Sequence, residues 1–319
     1  MARKAEAKVG GKRTQTKRIL DVGPGTYADG TPLHEVRYLE CKIILRPNHF
    51  TSRQSLFDFI RLLRRPAAEQ DIDFSSKMFA DAPLQIREVL FMDTPDNRLY
   101  KNAFILRRRI RYENGFPAGE PEIVFKFRHP DCQKAAEMDV RPQIVGDYLI
   151  KFKAEALPLK RELGGTRLLF SHNVQFPMSH VIENSFSAKG DPLSMASMMR
   201  VFPPLQGLKA SAAEKVELVS DTIVEEVLQD IGILDFGEGV SAKANVALWR
   251  VRGDHRPLIG EFAFELKFRR REDLREKTMN RAKAFFVALQ LAAKDWIALA
   301  TTKTGVVYGL KGNPPQAHE

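Results

Sequence analysis

Three arginines at alternate positions, Arg107, Arg109 and Arg111, close the stretch REVLFMDTPDNRLYKNAFILRRRIR, residues 87–111. Successive side chains of a β-strand point to opposite faces, so these guanidiniums share one face while Leu106, Arg108 and Ile110 share the other. Three like charges in a row repel unless anions sit among them. Those anions are solvent counterions, neighbouring carboxylates, or a polyanionic ligand. The elements that hold the row lie beside it. Val89 to Met92 is apolar and strand-prone, Asp93-Thr94-Pro95-Asp96-Asn97 is turn chemistry, and Phe104 to Arg111 resumes as a strand.

The same alternation recurs along the chain. His34 to Arg46 reads as a strand ended by Pro47, with Tyr38, Glu40, Lys42 and Ile44 on one face. A cross-strand ion pair on a wet surface accounts for Glu40 and Lys42 as simply as a polar interior does. Glu122 to Arg128 sets Val124, Lys126 and Arg128 against an apolar face of Ile123, Phe125 and Phe127. Ala135 to Val140 reads as an acidic strand carrying Glu137 and Asp139 on one face. Asn245 to Arg252 places Arg250 and Arg252 together, and Leu258 to Phe268 places Glu261 and Glu265 opposite a row of Phe and Leu.

Helical periodicity predicts an amphipathic helix over 49–64, stopped by Pro66, with Leu56, Phe59, Ile60 and Leu63 as its apolar stripe. A second is expected over 211–231, from the Ser211/Glu214 capping box to Gly232. The longest is expected over 272–299, before a last strand at 301–310. Residues 142–210 are poorer in periodicity and read mostly as loops. A short strand at 150–153, a helix near 157–163, and strands near 180–186 and 198–203 are expected within them.

The chain has 319 residues, 44% of them hydrophobic, and a formal charge of +10. That balance suggests acidic partners. Residues 1–18 hold seven Lys/Arg against one Glu, so the remaining body is only about +4. Residues 1–20 read as a disordered basic tail, a possible RNA contact, without the apolar run of a secretory signal. No stretch has the length of a membrane span. Cys41 and Cys132 form neither a zinc signature nor a disulfide framework, so a reducing cytoplasm is expected. The sequence contains no GxxxxGK[ST], no GxGxxG after a strand, no GxSxG and no HExxH.

Several strands therefore pair one apolar face with one face of Arg, Lys and Glu. A sheet closed into a barrel holds such a face inward when its charges are paired or ligated. The DTPD turn followed by LRRR resembles the signature of the CYTH superfamily, the triphosphate tunnel metalloenzymes. Leu39-Glu40-Cys41-Lys42 resembles that family's ExExK strand, Val124-Phe125-Lys126 its TLK strand, Glu137 and Asp139 its acidic strand, and Gly260 to Glu265 its late Gly-x-Phe-x-Glu strand. The order of these pieces is the family's, over about residues 34–305.

The resemblance implies an α+β fold: a closed antiparallel tunnel of about eight strands with helices packed outside. It implies one domain over 31–310, with an atypical insertion around 142–210. It also implies metal-dependent hydrolysis of tripolyphosphate or an organic triphosphate. Lys42, Arg107, Arg109, Lys126, Arg250 and Arg252 would bind phosphate. Glu40, Glu137, Asp139 and Glu265 would hold Mg²⁺ or Mn²⁺, with Glu40, Glu265 and Lys42 closest to the chemistry. Tyr38 stands where the family has the first glutamate of ExExK. A class IV-type adenylyl cyclase and a non-catalytic polyphosphate- or RNA-binding module are the alternatives.

Overall fold

A computed structural model describes residues 19–79, 81–185, 194–211, 213–313, 315–316 and 318–319. The side chains of 182–185 are not among the parts described, and the expected basic tail falls almost wholly outside these residues. Ten strands follow in chain order: β1 (Tyr38–Leu45), β2 (Asp73–Ser75), β3 (Gln85–Asp93), β4 (Phe104–Glu113), β5 (Phe116–His129), β6 (Leu149–Leu157), β7 (Arg167–Pro177), β8 (Glu217–Asp235), β9 (Ser241–Val251) and β10 (Pro257–Lys267). They are joined by α1 (Arg53–Glu69), α2 (Arg98–Lys101), α3 (Cys132–Glu137), α4 (Met178–Ser185), α5 (Met195–Val201), α6 (Glu276–Ala292) and α7 (Lys303–Gly309).

Nine strands close on themselves in the order β8-β3-β4-β5-β7-β6-β1-β10-β9, with β9 returning to β8, while β2 hangs from β8 as a short flap. The barrel is mixed rather than antiparallel, because β1 and β6 run parallel with Tyr38 opposite Lys153 and Glu40 opposite Glu155. The helices pack outside. On one flank α1 and α6 bury Phe59, Leu63, Phe285 and Leu289 against Phe262 and Phe264 of β10. On another, Met195, Met198, Val201 and Phe202 cover Phe104, Ile123, Phe125 and Phe176.

Four expectations are corrected here. Residues 217–235 form β8 rather than a helix. Its run of Val and Ile suits a strand, and two irregularities disguise the period of two. Ser220 and Asp221 take positive φ beside one register shift, and a second shift falls between Asp230 and Gly232. Gly232 is required there, because a Cβ would meet the Phe74 ring at 2.4 Å and the Ser75 carbonyl at 2.7 Å. The 142–210 stretch supplies β6 and β7, two full barrel strands. Residues 303–309 are helix α7, not a strand. Pro66 lies inside α1, which continues to Glu69.

Candidate polyanion-binding tunnel

The barrel encloses a cavity of about 300 Å³. Strand alternation selects what faces it: Glu40 and Lys42 from β1, Arg87 from β3, Arg107 and Arg109 from β4, and Lys126 and Arg128 from β5. Lys151, Lys153 and Glu155 follow from β6, Glu226 from β8, Glu261 from β10 and Lys303 from α7. Nine cations thus face four carboxylates.

The turn after β3 fixes the inner end. Asp93 is buried and accepts from the backbone N–H groups of Thr94 (2.7 Å), Leu99 (2.8 Å) and Tyr100 (2.9 Å). It also accepts from the Tyr308 hydroxyl at 2.9 Å, and the Tyr308 ring stacks on Tyr100. This ties α7 to the end of β3 and to α2. The first turn of α7, capped by the Thr302 side chain, then sits against the tunnel with Thr302, Lys303 and Thr304 on its lining. Glu319 is buried at the same end, with its carboxylate 3.4 Å from Arg128 and hydrogen-bonded to Thr302.

Most of the charges are paired. Glu155 is 1% exposed and lies 3.3 Å from Lys42, 3.4 Å from Lys126 and 3.2 Å from Arg128. Burial alone would raise its pKa, but these cations and Lys153 outweigh it and hold the group well below the carboxylate range. Glu40 sits 2.9 Å from Lys42 and 3.4 Å from Lys153. Burial opposes its charge too, and the two lysines bring its pKa down to about 2. Glu226 accepts from Trp249 Nε1 at 2.8 Å and lies 3.3 Å from Lys303, which also reaches Glu261 at 2.7 Å.

Arg107 is different. Its Nη2 donates to Thr304 Oγ1 at 2.9 Å, its guanidinium lies 4.4 Å from the Phe91 ring centre, and its buried Nε, like those of Arg109 and Arg128, has no partner. Among the described residues no carboxylate lies within ion-pair distance of it. Burial, with Arg128 and Arg109 adding repulsion, lowers its pKa to about 10. Lys126 is pushed well below the usual lysine range by burial first of all; Glu155 restores part of it, and Arg128, Arg107 and Lys42 lower it further. Cations held this way have an unmet demand for negative charge.

The structure brings together Glu40, Lys42, Arg107, Arg109 and Lys126. Glu265 lies beside them, paired with Lys153 at the more exposed mouth. It does not bring in the other four. Glu137 ends helix α3, not a strand, and its carboxylate accepts from Gln133. Asp139 pairs with Arg141, whose other nitrogen reaches Asp29. Arg250 and Arg252 point away from the lining, to Glu225 and Glu88. Both follow from period two: Trp249 faces in, so Arg250 faces out. Sequence reading missed Arg87, Lys151, Lys153, Glu155, Glu226 and Lys303 and left Arg128 and Glu261 unassigned. The alternation Lys151-x-Lys153-x-Glu155 was the available signal, lost in a stretch read mostly as loop.

The Mg²⁺ or Mn²⁺ implied by the resemblance finds no fitting donor set in this arrangement. Among the described residues no group of three or more His, Cys, Asp or Glu side chains is placed to hold a metal. The carboxylates that line the tunnel close on ammonium or guanidinium groups instead.

No family model matches the sequence, and no curated protein does. Solved structures that resemble the fold include an adenylyl-cyclase candidate from Hippeastrum described as having a dominant triphosphatase activity. It is 12% identical, covering 89% of this chain and all of that one, with a TM-score of 0.41. An adenylate-cyclase candidate from Bacillus halodurans is 11% identical over 84% of this chain and 95% of its own, with a TM-score of 0.36. A Pyrococcus horikoshii protein is 14% identical over 78% and 88%, with a TM-score of 0.28. At these scores the likeness carries no weight for function, which rests on the tunnel's own side chains.

Proposed function

We propose that this chain is a divergent triphosphate tunnel protein of the CYTH kind, and that its tunnel takes up a linear triphosphate, inorganic or carried on an organic group. The observation that supports this is Arg107, a part-buried guanidinium with a buried, unpartnered Nε and no carboxylate at ion-pair distance among the described residues, in a lining of nine cations and four carboxylates. Arginine suits phosphate oxygens through its planar fork of donors, and the surrounding lysines add charge. A phosphate chain seated there meets Arg107, Lys126 and Arg128 at the inner end and Arg109 and Lys151 toward the mouth.

Hydrolysis of the bound chain is the reaction favoured by one further feature. Glu265, Glu40 and Glu155 stand in register across β10, β1 and β6. Glu265 has a side chain 32% exposed against 18% for Glu40 and 2% for Glu155, so it is the one placed to orient water. Its partner there is the ammonium of Lys153, and a carboxylate is the kind of group that takes a proton from an attacking water. A cyclase would also need a seat for adenine, and Trp249 is the only aromatic side chain among the described residues on the lining.

Calorimetric titration with inorganic tripolyphosphate tests the binding, with Arg107→Ala as the comparison. Phosphate release, measured with and without Mg²⁺ or Mn²⁺ beside Glu265→Gln, tests the reaction. Binding lost in Arg107→Ala and release lost in Glu265→Gln are expected. A wild-type protein that does not bind tripolyphosphate ends the reading.

A further inference from the structure

Glu40 and Glu265 are directly opposed across the antiparallel pair β1/β10. Glu40 is also opposed to Glu155 across the parallel pair β1/β6. Like charges directly opposite on one face of a sheet destabilise it. Here each gap in the row is filled by an ammonium group. Lys153 Nζ lies 3.4 Å from Glu40 and in closer contact with Glu265, and Lys42 Nζ lies 2.9 Å from Glu40 and 3.3 Å from Glu155. Lys153 arrives there because it is the register partner of Tyr38 on β6, and its Nζ lies 5.7 Å from the centre of the Tyr38 ring. A tyrosine at position 38 adds no third carboxylate at this mouth.

We infer that the ammonium of Lys153 holds the seat between Glu40 and Glu265 that a divalent cation would otherwise take, so that the tunnel binds an oligophosphate without metal. The second half of this statement rests on the triphosphate reading; the first does not. A lysine donates three hydrogen bonds from a compact charge, and here two of its acceptors are carboxylates on neighbouring strands. Neutralisation of the phosphate chain then falls to Arg107, Lys126 and Arg128, which belong to the chain itself.

Two measurements separate the parts. Uptake of Mn²⁺ alone, followed by electron paramagnetic resonance, is expected to be absent in the wild type and in Lys153→Arg. It should reach one equivalent in Lys153→Ala, where no ammonium stands between Glu40 and Glu265 and Lys42 remains on the far side of Glu40. Mn²⁺ uptake by the wild type overturns the assignment of Lys153, as does a folded Lys153→Ala that leaves Mn²⁺ free. Tripolyphosphate titration in EDTA is expected to give an affinity within about threefold of that in Mn²⁺. Binding that appears only with Mn²⁺ overturns metal independence while leaving the triphosphate reading intact. Absence of binding in both conditions overturns the triphosphate reading, and the Mn²⁺ arm still judges Lys153. If Lys153→Ala does not fold, as a melting curve will show, the two wild-type arms decide.

Discussion

Replacing Arg107 with methionine should strengthen the unliganded fold and weaken ligand binding, two effects of opposite sign. The guanidinium's pKa falls from its ordinary value to about 10 through burial and the nearby Arg128 and Arg109. A shift of that size corresponds to about 3 kcal/mol of cost for keeping the group charged in the fold. Methionine removes that cost and keeps most of the side-chain volume. It gives up the stack on Phe91 and the bond to Thr304, together worth about 1–2 kcal/mol. The net expectation is a protein more stable by about 1–2 kcal/mol without ligand, a rise in Tm of roughly 2–8 °C. Tripolyphosphate binding should weaken by the loss of charge-assisted bonds, on the order of 1.5–3 kcal/mol, or about 10- to 150-fold. Urea denaturation without ligand and calorimetric titration with it give the two numbers. A methionine variant that is less stable and binds tripolyphosphate unchanged refutes the reasoning, because Arg107 would then be a structural cation already satisfied by its surroundings.

Acid should unfold the barrel through its paired glutamates. Burial works against the charge on Glu40 and Glu226, but Lys153 and Lys42 for the first, and Lys303 and Arg87 for the second, lower both pKa values to about 2. Stability from each is full above the unfolded value of 4.5 and is lost as pH falls towards 2, on the order of 3 kcal/mol apiece; a melting temperature flat from pH 4.5 to 2.5 would contradict this. Lys126, pushed down by burial and its cationic neighbours, should take up a proton when tripolyphosphate binds in alkaline solution. The binding enthalpy should then vary with the ionisation enthalpy of the buffer, and this variation should shrink in Lys126→Met. Asp93→Ala strips an acceptor from three backbone N–H groups and the Tyr308 hydroxyl. It should cost at least about 3 kcal/mol in urea denaturation, and a loss below about 1 kcal/mol would remove the turn from its role in holding α7.

How far the sequence carried depends on whether period two was undisturbed. β4, β5 and β10 alternate cleanly over an apolar face, and from them the charged face of Arg107, Arg109 and Lys126 was legible; that the sheet closes into a barrel came from the resemblance and not from the alternation. β8 was not, since the positive-φ pair Ser220-Asp221 and the shift near Gly232 gave its Val and Ile residues a helical spacing, hiding Glu226. Glu137 and Asp139 were misplaced for a related reason. Six residues are too few to tell a strand from a helical turn, and Asp131 caps α3 by accepting from Lys134 N. The parallel β1/β6 pair was beyond reach, since register between distant strands is set by packing. That pairing is what carries Lys153 and Glu155 to Glu40.

The arrangement of the tunnel charges argues for a ligand more strongly than their number does. Glu155 is the most buried carboxylate on the lining and contacts three cations, while Arg107, part-buried nearby, has no carboxylate at ion-pair distance among the described residues. Were the interior built for stability alone, its carboxylates would be shared so that no guanidinium was left over. A buried charge without a partner costs several kcal/mol, whereas an apolar side chain at position 107 would pack against Phe91 and Trp249 without that cost. Position 107 is therefore left cationic where an apolar side chain would cost less, and Lys151 on the same lining likewise has no carboxylate at ion-pair distance among the described residues. On the function proposed above, an oligophosphate would supply the linear, repeating negative charge that Arg107 and, toward the mouth, Arg109 and Lys151 call for.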